Sequence, residues 1–168
     1  MRPATAADID AIRAIGVAAG ERFRESDDPR IADRADDPPF DVDELAALLE
    51  GGAVWVAEVG GAVGGFLVAE VLDGRAHVEE VAVRPEAEGR GLGSALLEAA
   101  ADWARTEGLD GVTLTTFRDV PWNAPFYERR GFRVLAETEL TDGLVARRAA
   151  EAAAGLDPDL RVVMHRDT

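Results

Sequence analysis

Cysteine is absent from this 168-residue chain, and so is lysine; all 18 basic residues are arginine. Without cysteine there is no disulfide framework, no thiolate nucleophile and no cysteine-ligated zinc. Without lysine there is no P-loop cation for the β/γ-phosphates of a nucleotide. The two histidines, His77 and His165, are too few for a histidine-built metal site, so no metal is expected. No apolar run reaches the length of a membrane span. The opening MRPATAADID lacks the basic start and apolar stretch of a secretory signal. The expectation is a soluble cytoplasmic protein with no membrane partner. Basic charge is scarce as well: 33 acidic residues against 18 basic ones leave a net of −15. Nucleic-acid binding through a basic surface is therefore disfavoured. The acid excess suits a cationic partner or substrate. It equally suits a bias toward Arg, Ala, Asp and Glu throughout the chain, because net charge bears on solubility before function.

What is present reads as one α/β domain over residues 1–168. Thr5 and Asp8 have the spacing of a capping box, followed by Ile9, Ile12, Gly16, Ala19 and Phe23 on one helical face. The segment 25–44 holds nine acidic and two basic residues with three prolines, and reads as a loop. Asp41 is placed to cap a short helix that stops at Gly51-Gly52. Three strand-like runs follow, AVWVAEV, AVGGFLVAEVL and AHVEEVAV. Gly60-Gly61 separates the first two and Asp73-Gly74 precedes the third, so an antiparallel meander is predicted. A helix over about Leu92 to Glu107 has Leu92, Leu96, Ala99 and Trp103 on its expected buried side. Then come a strand (GVTLTTF), a helix opened by proline (PWNAPFYERRG), a strand (FRVLAE), a helix (GLVARRAAEAAAG) and a closing strand (LRVVMHR). The predicted sheet is mixed and largely antiparallel, flanked by helices.

The sharpest signal is EGRGLGS, residues 88–94. A dinucleotide fingerprint would need glycine where Ser94 stands, and would follow the first strand of a βαβ unit rather than a meander. A strand, a glycine loop and a helix N-terminus in succession fit an anion better. Glycines at 89, 91 and 93 let the backbone approach closely, the first-turn amides point at the ligand, and Arg90 adds a charge-assisted contact. A pyrophosphate suits such a loop.

VAVRPEAEGRGLGSALLEAA resembles the acetyl-CoA loop of the GNAT acyltransferase superfamily. Its pattern, Gln/Arg-x-x-Gly-x-Gly/Ala, falls on Glu88, Gly91 and Gly93; Glu88 departs from it. WNAPFYERRGF is similar to the superfamily's Asn-x-x-x-aromatic-Tyr-x-x-x-Gly-Phe segment, and RPATAADIDAI to its first strand and helix. The resemblance runs over essentially the whole chain. It implies an N-acetyltransferase with acetyl-CoA as cosubstrate, whose pyrophosphate is held by main-chain amides of Gly89, Arg90, Gly91, Gly93 and Ser94. Backbone groups around Val81 and Val83 would pair with the pantetheine arm, near which Asn123 would lie. Tyr127, the only tyrosine, would protonate the departing sulfur. Many relatives dimerise, so a homodimer is compatible, although no interface is legible.

Acyl transfer to an amine also needs a group to take the amine's proton. Period-two alternation puts His77, Glu79, Val81 and Val83 on one strand face and Glu80 on the other. Glu79 is the first choice for the base, His77 the second and Glu80 the third; a strand bulge would exchange the two acids. The resemblance makes residues 25–44 the acceptor side, where Asp27, Asp28, Asp33, Asp36 and Asp37 suit a small cationic amine. Phe40 and Trp122 would supply an apolar wall. The alternative is a non-catalytic domain that holds acetyl-CoA as a sensor or scaffold, a reading favoured by Glu88 alone.

Overall fold

The computed structural model describes residues 1–51 and 53–168; Gly52, half of the expected helix stop, lies outside the described residues. In chain order the elements are β1 (Arg2–Pro3), α1 (Ile9–Gly20), α2 (Pro29–Ala32), α3 (Val42–Glu50), β2 (Val54–Val59), β3 (Ala62–Leu72), β4 (Arg75–Val83), α4 (Leu92–Glu107), β5 (Val112–Phe117), α5 (Ala124–Glu128), β6 (Arg133–Val134), α6 (Asp142–Ala153) and β7 (Arg161–Arg166). The strands are ordered β1-β2-β3-β4-β5-β7-β6. β4 and β5 pair in parallel, whereas β1–β2, β2–β3, β5–β7 and β6–β7 are antiparallel. This is the mixed, largely antiparallel sheet that the sequence predicts.

The meander follows from turn chemistry. Gly60 and Gly61 have φ of 60° and 81°, and Asp73 and Gly74 have φ of 49° and 76°. Two positive φ values in succession twist a two-residue turn in the hand that antiparallel strands require. The residue contacts divide the chain into a first unit, Met1–Glu70 with Glu79–Ala100, and a second, Val71–Val78 with Ala101–Thr168. β3, β4 and α4 each contribute to both.

In the first unit, α1 and α3 supply Ile12, Ile15 and Leu45 to a core with Val54, Val56, Phe66, Val68 and Ala82 from the strands. Full burial of such side chains is worth about 1.5–3 kcal/mol each. Asp41 caps α3 as expected, accepting from the amides of Asp43 (2.9 Å) and Glu44 (3.2 Å). The expected capping box holds through Asp8, whose carboxylate accepts from the Thr5 amide at 2.8 Å. The same carboxylate takes two bonds from Arg2 at 2.8 Å, which hold it well below the usual carboxylate range.

In the second unit a small apolar cluster of Leu135, Leu144 and Val163 is joined by Leu72 and Leu140. Beside it lies a half-buried polar group in which Arg161 bonds both Glu151 (2.9 Å) and Thr115 (3.1 Å). The predicted strand FRVLAE shrinks to the two residues of β6. The expected helix opening at Pro121 moves to Ala124, with Pro125 in the first turn, where its missing N–H costs nothing. The buried side of α4 also differs, being built from Leu96, Leu97, Ala100, Ala101 and Ala104. Trp103 and Leu92 are only half-buried. No helix among the described residues is long and apolar enough to cross a membrane.

Candidate active site

In the first unit, β4 passes through a 3-10 turn, Pro85–Ala87, and the loop 88–91 into the 16-residue helix α4. Gly89 and Gly91 have φ of 72° and 78°. A Cβ at either would meet nothing within 4 Å. Backbone conformation, not crowding by the chain itself, therefore demands glycine at both. Gly93 has no positive φ and sits inside the first turn of α4 with Ser94. The Gly91 carbonyl accepts from the Ala95 amide at 3.0 Å and starts the helix. First-turn amides have no acceptor within a helix and lie at the positive end of its dipole. With Arg90 exposed alongside, these residues fit a pyrophosphate. Glu88, the departure from the pattern, is met by Arg22 at 3.4 Å.

Two further glycines, Gly64 and Gly65, stand side by side on β3. A Cβ on Gly65 would come within 2.9 Å of the Ala82 carbonyl oxygen and 3.2 Å of Val83; one on Gly64 would press on Leu92 at 3.3 Å. The Gly-Gly pair of β3 thus lets the end of β4 and the start of α4 pack close. Val81 and Val83, the expected pantetheine partners, are both half-buried there. The β4–β5 ladder covers Ala76–Val78 only, and Glu79 to Val83 continue beyond it.

Of the two acids on β4, Glu80 lies against α1. Its Oε1 lies 3.3 Å from the Cβ position of Gly16 on α1, and the Phe66 ring lies 3.8 Å from that position. The residue as a whole is half-buried, yet its carboxyl is packed deeply enough that desolvation pushes its pKa up to about 7. Glu79 is half-buried, with Oε1 shut off from solvent. The acidic segment carries less open charge than its composition suggests. Asp36 pairs with Arg24 at 2.7 Å, Asp28 with Arg30 at 2.6 Å and Asp37 with Arg34 at 3.3 Å. Asp27 and Asp33 are in no ion pair among the described residues. Phe40 packs on the first unit's core, its carbonyl held by Arg13 Nε at 2.8 Å.

In the second unit, His77 is 1% exposed and its Nδ1 lies 2.9 Å from Thr113 Oγ1. Burial first, then the Arg147 and Arg161 charges, lower its pKa to about 4. It has the surroundings of a core residue fixed in its neutral form. Asn123 caps α5 rather than lying within it. Its carbonyl accepts from the amides of Phe126 (2.8 Å) and Tyr127 (3.2 Å). Its Oδ1 accepts from Thr116 at 2.6 Å, and its buried Nδ2 has no partner among the described residues. Tyr127 is half-buried, edge-on to Phe126 (5.2 Å) and Phe132 (5.8 Å). Trp122 is half-buried in the same unit. No group of three or more His, Asp or Glu able to hold a metal occurs among the described residues.

The acetyltransferase (GNAT) family model matches residues 20–132, more than half of the chain. The chain belongs to the acetyltransferase (GNAT) family. Within curated proteins, this family member is similar to the mycothiol acetyltransferase of Clavibacter michiganensis, with 38% identity over 104 residues. That match covers 60% of this chain and 30% of the relative, so the chain spans under a third of the relative's length. Among solved structures, N-acetylglutamate synthase of Neisseria gonorrhoeae, complexed with coenzyme A and N-acetyl-glutamate, matches with TM-score 0.71 at 20% identity. That match covers 99% of this chain and 34% of the other. Rv2747 of Mycobacterium tuberculosis, solved in complex with CoA, matches with TM-score 0.69 at 23% identity, over 99% of this chain and 98% of its own. At such identities the likeness establishes the GNAT fold alone.

Proposed function

We propose that this GNAT-family protein is an acetyl-CoA-dependent N-acetyltransferase acting on a primary amine by direct attack in a ternary complex. The observation that carries the reading is the loop 88–91, with two positive-φ glycines opening onto the first turn of α4, in a chain of this family. Bound acetyl-CoA supplies the activated acetyl thioester. The amides of Gly89, Arg90, Gly91, Gly93 and Ser94 hold its pyrophosphate, and Arg90 adds charge. Val81 and Val83 offer main-chain partners to the pantetheine arm, supported by the end of the β4–β5 ladder at Val78. Asn123 Nδ2 offers a donor to the same arm, supported by its buried position without a partner.

We propose Glu80, rather than Glu79, as the group that takes the proton from the amine. A carboxyl with a pKa near 7 is half ionised at neutral pH, where a general base is most effective. His77 is left out because Thr113 and the surrounding core enclose it. Tyr127 donates its hydroxyl proton to the departing sulfur. The acceptor is a small cationic amine in this reading, supported by the net charge and by Asp27 and Asp33, while the pairing of Asp28, Asp36 and Asp37 counts against a strong preference.

The test is free-thiol release from acetyl-CoA against cationic, neutral and acidic amines, with calorimetric titration of the cofactor alongside. Amine-dependent release that falls at least about tenfold in Tyr127→Phe, with cofactor affinity kept, supports the enzyme. Binding without release by any amine points to the sensor reading, and a flat amine profile removes the cationic preference.

A further inference from the structure

Glu88 is where the glycine loop departs from its pattern, and a residue 66 positions away responds to it. Arg22 lies in the 3-10 turn Glu21–Glu25 that extends α1, and its Nη1 reaches both Glu88 carboxylate oxygens, at 3.5 and 3.4 Å. The two side chains are 41% and 45% exposed. An exposed pair at that separation adds little to stability. Its position matters more: it brings a guanidinium to the residue preceding Gly89, at the mouth of a loop built for an anion.

We propose that Arg22 is a positioning residue for the cofactor, cancelling the Glu88 charge so that a pyrophosphate meets no net repulsion on entering the loop. The proposal rests on the acetyl-CoA reading above. It accounts for an acid being tolerated here, since the cation that the loop lacks at position 88 is supplied by another segment. An uncompensated carboxylate beside the loop would weaken a polyanion by roughly fivefold, about 1 kcal/mol.

Calorimetric titration of coenzyme A into the wild type, Arg22→Gln, Glu88→Gln and the double variant tests it, at about 0.02 M and about 0.3 M salt. Arg22→Gln is expected to bind roughly fivefold more weakly at low salt, with the loss shrinking at high salt. Glu88→Gln should bind no more weakly than the wild type, and the double variant should return to within about twofold of it. Melting temperatures of all four should stay together, which separates a charge effect from a folding defect. Unchanged binding in Arg22→Gln overturns the proposal. So does a loss that persists undiminished in the double variant, because Arg22 would then act independently of Glu88. A wild-type protein that fails to bind coenzyme A overturns the cofactor reading itself.

Discussion

His77 and Glu80 stand three residues apart on β4, one counted with each unit, and burial disfavours the charged form of both. The outcomes are opposite. For the histidine the charged form is the protonated one, so its pKa falls to about 4 and it is neutral throughout the physiological range. For the glutamate the charged form is the ionised one, so its pKa rises to about 7, where a small change in surroundings decides its state. Thr113 Oγ1 lies 2.9 Å from the histidine ring, while the glutamate carboxylate lies against Gly16 of α1, 3.3 Å from its Cβ position. One strand thus carries a titratable group held neutral and one that changes charge near neutral pH. Surroundings, not residue type, separate them: by type alone histidine would be the readier base.

The widest gap between the two should appear in activity. Glu80→Gln is expected to lower kcat by about 100-fold with coenzyme A affinity kept, whereas His77→Gln should leave the specific activity of folded protein within about threefold. Equal losses in both variants, measured by thiol release, would erase the distinction.

Stability offers a second separation. His77 has a folded pKa below its unfolded one, so its contribution is full above about pH 6.5 and is lost as pH falls toward 4. Glu80 has a folded pKa above its unfolded one, so its contribution is full below about pH 4.5 and is lost as pH rises through 7. Over the shared window the two slopes oppose, each worth at most about 3 kcal/mol before solvent screening. Urea midpoints against pH should therefore rise more steeply with pH in Glu80→Gln than in the wild type, and should fall with pH in His77→Gln. Unaltered slopes in both would mean that neither carboxyl nor imidazole is shielded as described.

Smaller effects come from the glycines that pack against β4 and against Glu80. Gly65→Ala drives a methyl to 2.9 Å from the Ala82 carbonyl oxygen. It should cost about 1–3 kcal/mol in denaturant unfolding and lower activity through the displaced end of β4. Gly16→Ala sets a methyl 3.3 Å from the Glu80 carboxylate, a contact that a slight shift relieves. Its expected result is near-normal stability with the activity inflection moved to higher pH by a fraction of a unit. An inflection that moves to lower pH would mean that the methyl does not further desolvate the carboxyl.

Turns and glycines made much of this architecture legible in advance. Gly60-Gly61 and Asp73-Gly74 have few conformations open to them between apolar runs, so the meander could be read directly. The step from strand through glycine loop into α4 was equally plain. Leu96 is buried as the periodicity predicts, but alanine serves either face of a helix, so Ala100, Ala101 and Ala104 carry no signal beside Trp103. Strand parity separates Glu79 from Glu80 without saying which face a helix covers, so the approach of Gly16 to Glu80 is not legible in the sequence. The arginines that neutralise Asp28, Asp36 and Asp37 were visible as letters, but their pairing depends on how the segment folds. Arg22 and Glu88 are too distant in sequence for any local pattern to join them.

The most direct test of this account is the pH dependence of kcat/KM for amine-dependent thiol release, wild type beside Glu80→Gln. A rise with pH that inflects near 7 in the wild type and is missing from a slow Glu80→Gln is the predicted result. The same inflection and rate in both proteins would contradict the assignment of Glu80 as the base.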